Sequence, residues 1–204
     1  MADDVKRRLV YMSRLSQSEK GEVYSLADIW PGADLRVRLR QAVEDVCLDR
    51  LIRAQGCLEV AKSLAPPVST ASVEALRTAI GRGYYSVHHS VRAMCLRRNQ
   101  WDPDGHGESI EQIRKLLGDP DFQRASGLMP EIVKEISEAR DNREVADYSP
   151  YDFSRRTGGI GIFPITGLDW RIAAEFNIGL AERLLTAASL PYILCSVSLD
   201  VAHS

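Results

Sequence analysis

Hydrophobic residues recur at three- and four-residue steps through most of this chain, and strict alternation is confined to its last residues. That step marks helices burying one face, because a helical turn takes 3.6 residues. From about Leu35 to Leu64 the pattern runs through Leu39, Val43, Val46, Leu51, Ala54, Leu58 and Ala61. Ala65-Pro66-Pro67 stops it, because proline has no N–H to donate and moves its predecessor out of the helical basin. A second helix is predicted to start near Ser69-Thr70-Ala71-Ser72, where hydroxyls can cap free N–H groups. Its buried stripe is Leu76, Ile80, Tyr84, Val87, Val91 and Met94. Gly81 and Gly83 weaken that helix by about 1 kcal/mol each, a cost that close approach of a neighbouring helix would explain.

Asn99 to His106 reads as a loop, and Gly107 to Leu117 as a short third helix ended by Gly118-Asp119-Pro120. A fourth helix is predicted from about Met129 to Ala146, with Ile132, Ile136 and Ala139 facing inward. Ser149 to Gly167 carries two prolines and four glycines, among them Gly158-Gly159-Ile160-Gly161. No strand precedes that glycine cluster and no Gly-Lys-Ser/Thr follows it, so a loop is expected there rather than a phosphate cradle. The last helix spans about Leu168 to Ser189 and carries Ala173, Phe176, Leu180, Leu184 and Leu185 on one side. Val197, Leu199 and Val201 then alternate, as in a terminal strand or a disordered tail. The expected fold is all-α: an antiparallel bundle of four to five helices over residues 35–190, with an extension at 1–34 and a tail at 191–204.

Composition narrows the class. The chain has 204 residues, 45% hydrophobic and 26% charged, with a formal net charge of −2. That suits one core and argues against a uniformly basic nucleic-acid binder. Arginines do cluster locally, at Arg36, Arg38, Arg40, Arg50 and Arg53 and again at Arg92, Arg97 and Arg98; solvated helix faces are the simpler expectation for them. Cys47, Cys57, Cys95 and Cys195 form no CxxC pair and no metal-ligand rhythm with the histidines, which fits a reducing cytoplasm. No apolar leader opens the chain, and no stretch is long and apolar enough to span a bilayer. Neither metal nor cofactor is expected.

The chemistry concentrates in Arg140-Asp141-Asn142-Arg143-Glu144-Val145-Ala146-Asp147-Tyr148. Such a cluster belongs at a helix end open to solvent or ligand. Its arginines can simply complement the helix dipole while Asp147 and Tyr148 bond into the turn. Two arginines three residues apart beside a carboxylate and a phenol also suit phosphate, which planar guanidinium forks grip well. Upstream, His88 and His89 point about 100° apart on a helix, so at most one can face the core fully. A histidine hydrogen-bonded between helices is the plainer expectation, and a ligand-contacting one the alternative.

The segment Gly83-Tyr84-Tyr85-Ser86-Val87-His88-His89-Ser90-Val91-Arg92-Ala93-Met94 followed by Arg143-x-x-Ala146-Asp147-Tyr148 resembles the HEPN superfamily. The likeness covers roughly residues 35–190. It implies a small helical bundle that dimerises around a shared polar cleft and acts on or beside RNA or nucleotides, in toxin–antitoxin or other microbial defence. It also implies partners: an antitoxin or a minimal nucleotidyltransferase. On this resemblance Arg140, Arg143, Asp147 and Arg92 are the substrate-binding candidates, and Arg143, Tyr148 and His88 the catalytic ones. Ribonuclease members of the family place a histidine four to six residues after the arginine. Here Arg143 is followed by Glu144-Val145-Ala146-Asp147-Tyr148-Ser149-Pro150, and a tyrosine with a pKa of about 10 is a poor base at neutral pH. RNA or nucleotide binding is therefore the leading expectation. A metal-independent ribonuclease, with His88 or His106 completing the proton relay, is the second. A structural partner of a nucleotidyltransferase or antitoxin is the third.

Overall fold

The computed structural model describes residues 33–66, 71–99, 102–103, 105–147 and 167–190, with side chains from 43 and from 170 within the first and last of these. Residues 1–32 of the 1–34 extension, Tyr148, the 158–161 glycines and the 191–204 tail lie outside the described residues. Among the described residues there are six helices: α1 (Ala33–Leu64), α2 (Val73–Asn99), α3 (His106–Leu116), α4 (Pro120–Ser126), α5 (Ile132–Asp147) and α6 (Gly167–Ser189). Among the described residues there is no strand, and no helix is long and apolar enough to cross a membrane. The all-α expectation holds. The four long helices match the periodicity, and α4 is an addition that Gly118-Asp119-Pro120 concealed. Asp119 caps it, its side chain accepting from the Asp121 N–H at 2.9 Å, with Pro120 at the first helical position.

Contacts between the helices give their directions. Cys47 in the middle of α1 lies 3.6 Å from the Ala93 carbonyl late in α2, and Ala65 just past the end of α1 shares a cluster with Leu76 early in α2, so α1 and α2 are antiparallel. Arg77 donates to the Ala146 carbonyl at 2.7 Å and Arg143 meets Tyr85, so α5 is antiparallel to α2. Asn177 bonds to Ile80 at 3.1 Å and Arg97 to Ala188 at 2.8 Å, so α6 runs parallel to α2. The chain is an up-down-up-down bundle in which α2 and α6, running the same way, touch across the middle. Gly83 permits that contact: a Cβ there would lie 3.1 Å from the Asn177 Cβ and 3.2 Å from its carbonyl carbon.

All six positions of the stripe expected in α2, from Leu76 to Met94, are buried. The main core joins Tyr84, Val87, Val91 and Met94 to Leu58, Ile113, Phe122, Ile136 and Leu184, while a second cluster gathers Leu76 and Ile80 with Ala65, Ala146 and Trp170 at the other end. Ser72 opens α2 as expected, accepting from the Ala75 N–H at 3.2 Å. Asn177 is fully buried and satisfies itself by donating to the Ile80 and Ala139 carbonyls, at 3.1 and 3.2 Å, while accepting from Asn142 at 3.3 Å. One side chain thus spaces α2, α5 and α6.

Candidate functional site

The two segments that carry the resemblance meet in space. Arg143 on the last turns of α5 donates from Nη2 to the Tyr85 hydroxyl at 3.2 Å, and its guanidinium carbon lies 5.5 Å from the Tyr85 ring centroid. Its Nε stands 2.5 Å from Asp147 Oδ2, one turn on, as a close ion pair without an aligned hydrogen bond. Asp147 comes down over α2 one turn before Tyr85, where a Cβ on Gly81 would lie 3.7 Å from its Oδ1. The Arg143 side chain is 17% exposed, packed by its stem and open at one edge. Arg140, one turn earlier, is more open and pairs with Asp141 at 2.9 Å and with Glu144 at 3.9 Å. Tyr84 lies in the core. Burial pushes its phenol pKa up although Arg140 and Arg143 pull the other way, so it stays protonated.

His106 brings α3 to the same place. Its ring centroid is 5.2 Å from Tyr84, 6.2 Å from Tyr85 and 4.5 Å from His88. Its Nδ1 is buried without a hydrogen-bond partner. Burial first, then the charge of Arg143, pushes its pKa below the ordinary value, so the ring is neutral near pH 7. His88 is the core-facing histidine of the pair and His89 the half-buried one. Burial, reinforced by His106 and Arg92, lowers the His88 pKa to about 3; burial and Arg50 lower that of His89 to about 4. Ser109 Oγ gives its single proton to the Gly105 carbonyl at 3.0 Å and lies 3.3 Å from His88 Nδ1. With that proton so placed, His88 Nδ1 is the donor to Ser109 and Nε2 keeps the lone pair.

Arg92 is held elsewhere. It is buried, with Nε 2.6 Å from Asp102 Oδ1, while Arg50 Nη2 reaches Asp102 Oδ2 at 2.7 Å. Burial raises the Asp102 pKa, but the hydrogen bond from Arg92 and the charge of Arg50 outweigh it and hold the carboxyl below its usual range. Among the described arginines of the two clusters, Arg50 and Arg92 converge on Asp102, Arg97 bridges Glu44 and the Ala188 carbonyl, and Arg98 pairs with Asp119.

Arg143 therefore joins Asp147 to Tyr85, whose ring borders His106 of the His88–His106 pair, Arg140 lies one turn before Arg143, and Arg92 anchors a separate ion triad. Tyr148, the third catalytic candidate, lies outside the described residues. Asn177, Asp102 and Ser109 were not anticipated. Each is an isolated polar residue in a helix or loop, and only the fold shows what it touches. No family model, curated protein or solved structure matches this chain.

Proposed function

We propose that this protein is a HEPN-like RNA- or nucleotide-binding protein whose phosphate contacts are Arg143 and Arg140. The observation that carries the reading is the contact between Arg143 and Tyr85. It unites segments 58 residues apart into one partly open basic and aromatic surface. Asp147 and Tyr85 orient the guanidinium, and its other N–H groups have no partner among the described residues. A planar fork held this way can grip a phosphate by two parallel bonds. The toxin–antitoxin or defence setting, with an antitoxin or minimal nucleotidyltransferase as partner, rests on the resemblance alone.

Binding of fluorescently labelled single-stranded RNA, followed by anisotropy across a salt series, tests this. Arg143→Ala should weaken binding and reduce the slope of log affinity against log salt by about 1. Arg143→Lys should restore binding only in part, because lysine offers a point charge. Unchanged affinity and slope in Arg143→Ala would remove Arg143 from the site.

His106 supports a second reading, a metal-independent ribonuclease. Its neutral imidazole adjoins Tyr85, the residue that holds Arg143, so a base could stand near a held phosphate. In that case RNA would be cut without metal, and His106→Ala would stop cutting while leaving binding in place. Intact RNA after prolonged incubation with chelator leaves binding as the function.

A further inference from the structure

Helix α2 carries five arginines, Arg77, Arg82, Arg92, Arg97 and Arg98, and after Glu74 no acidic residue. A helix so basic takes its counter-charges from other elements or leaves them to solvent and ligands. Four of the five find protein partners. Arg77 donates to the Ala146 carbonyl at 2.7 Å and lies 5.6 Å from the Trp170 ring centroid. Arg92 is paired with Asp102, Arg97 with Glu44 and the Ala188 carbonyl, and Arg98 with Asp119. Arg82 is exposed and makes no hydrogen bond or ion pair among the described residues.

Its place on the helix sets it apart from an ordinary solvated arginine. Arg82 precedes Tyr85 by three residues, so the two are neighbours on one face. Helical side chains lean toward the N-terminus, which brings Tyr85 over the turn that carries Gly81 and Arg82. Those two residues point about 100° apart, and Tyr85 falls between them. Gly81 faces α5, where Asp147 overlies it, and Arg143 reaches the Tyr85 hydroxyl from the same helix. Two guanidinium groups from different helices thus flank one half-buried phenol. Asp147 stands 2.5 Å from Arg143 Nε, so its charge is already matched and Arg82 is left uncompensated.

We propose that Arg82 is a second phosphate contact beside Tyr85, and that the site takes a ligand with at least two phosphate groups rather than a monophosphate. The inference rests on the phosphate contact proposed for Arg143. A single phosphate gripped by Arg143 leaves Arg82 in water. A ligand whose phosphates follow one another, as in a polynucleotide strand or a nucleoside triphosphate, crosses Tyr85 and meets both forks. Each guanidinium supplies its own set of donors, and joining the two phosphates in one molecule makes the second contact intramolecular.

The test compares adenosine monophosphate, adenosine triphosphate and a short single-stranded RNA as ligands of the full chain, across a salt series. Melting curves of Arg82→Ala should overlay those of the wild type, because an exposed side chain without described partners is removed. Arg82→Ala should weaken RNA binding about tenfold and lower the slope of log affinity against log salt by about 1. Its affinity for adenosine monophosphate should stay within about twofold of the wild type. Arg82→Lys should keep the salt slope and recover the affinity only in part, since a point charge replaces a fork. Adenosine triphosphate distinguishes the two sources of paired phosphates. A loss equal to that for RNA means that consecutive phosphates of one nucleotide suffice, and no loss means that the spacing of a strand is required. Wild-type affinity and slope for RNA in Arg82→Ala would overturn the proposal. So would an equal loss for the monophosphate, which would put both arginines on one phosphate. If Arg143→Ala weakens binding and Arg82→Ala does not, this inference fails while the proposed function stands; if neither does, both fail.

Discussion

Gly83 of α2 and Asn177 of α6 meet at a separation that leaves no room for a methyl group between them. Helix propensity alone favours alanine over glycine here by about 1 kcal/mol. Packing decides otherwise, since the added Cβ would press on both the side chain and the backbone of a fully buried residue. Gly83→Ala should lower the unfolding free energy by about 1–3 kcal/mol, measured by urea titration. Equal or greater stability would mean that α6 can back away freely.

Acid should destabilise the fold well before the carboxylates titrate. An unfolded histidine binds a proton below about pH 6.5, whereas folded His88 does so only near 3 and His89 near 4. Their contribution is complete above pH 6.5 and is lost as pH falls toward those folded values. For His88 the loss by pH 5 is about 2 kcal/mol. Asp102, with its lowered pKa, adds its own loss only below the ordinary carboxylate value of 3.8, so the window from 6.5 to 4 belongs to the histidines. Denaturant midpoints at pH 7 and pH 5 measure the slope, and His88→Gln should flatten it.

The Arg50–Asp102–Arg92 triad predicts a loss of stability without loss of binding. Asp102 is 3% exposed, and Asp102→Asn would leave two arginines facing a neutral amide. A cost of about 3 kcal/mol is expected, read as a lower melting temperature. RNA affinity of the folded fraction should be unaltered, because Arg143 and Arg140 are untouched. A selective loss of affinity would draw this triad into the site.

Tyr85→Phe separates the ring from its hydroxyl. Stability should fall by less than about 1 kcal/mol, since one half-exposed hydrogen bond is removed. Affinity for RNA should drop several-fold, because Arg143 loses the group that aims it, and Arg143→Ala on the same background should have a smaller effect than alone. Additive losses would show that Tyr85 does not act through Arg143.

How much of this was legible in the sequence follows from what kind of signal each part leaves. The buried stripes of α1, α2, α5 and α6 are periodic, so a local pattern announces them. Helix α4 has only seven residues, too few for a period, and its start sits in turn-like Gly118-Asp119-Pro120. The juxtaposition of Arg143 with Tyr85 was reachable only through the family resemblance, because nothing local in either helix names the other. His106 looked like a loop residue, and its place among Tyr84, Tyr85 and His88 depends on how α3 turns back against α2. Arg92 shows the limit of position-by-position inference: its spacing from His88 was correctly read as one helical turn, while its partner lay ten residues on in a loop.

The order in which the chain is made gives Asn177 a further meaning. Tyr85, His106 and Arg143 all emerge from the ribosome before α6, yet the side chain that spaces α5 against α2 belongs to α6. A nascent chain ending before Gly167 therefore carries Arg143, Tyr85 and the histidines but lacks the strut that sets their distances. The site is completed late, when the last helix docks, so a growing chain still on its own messenger holds these groups unassembled.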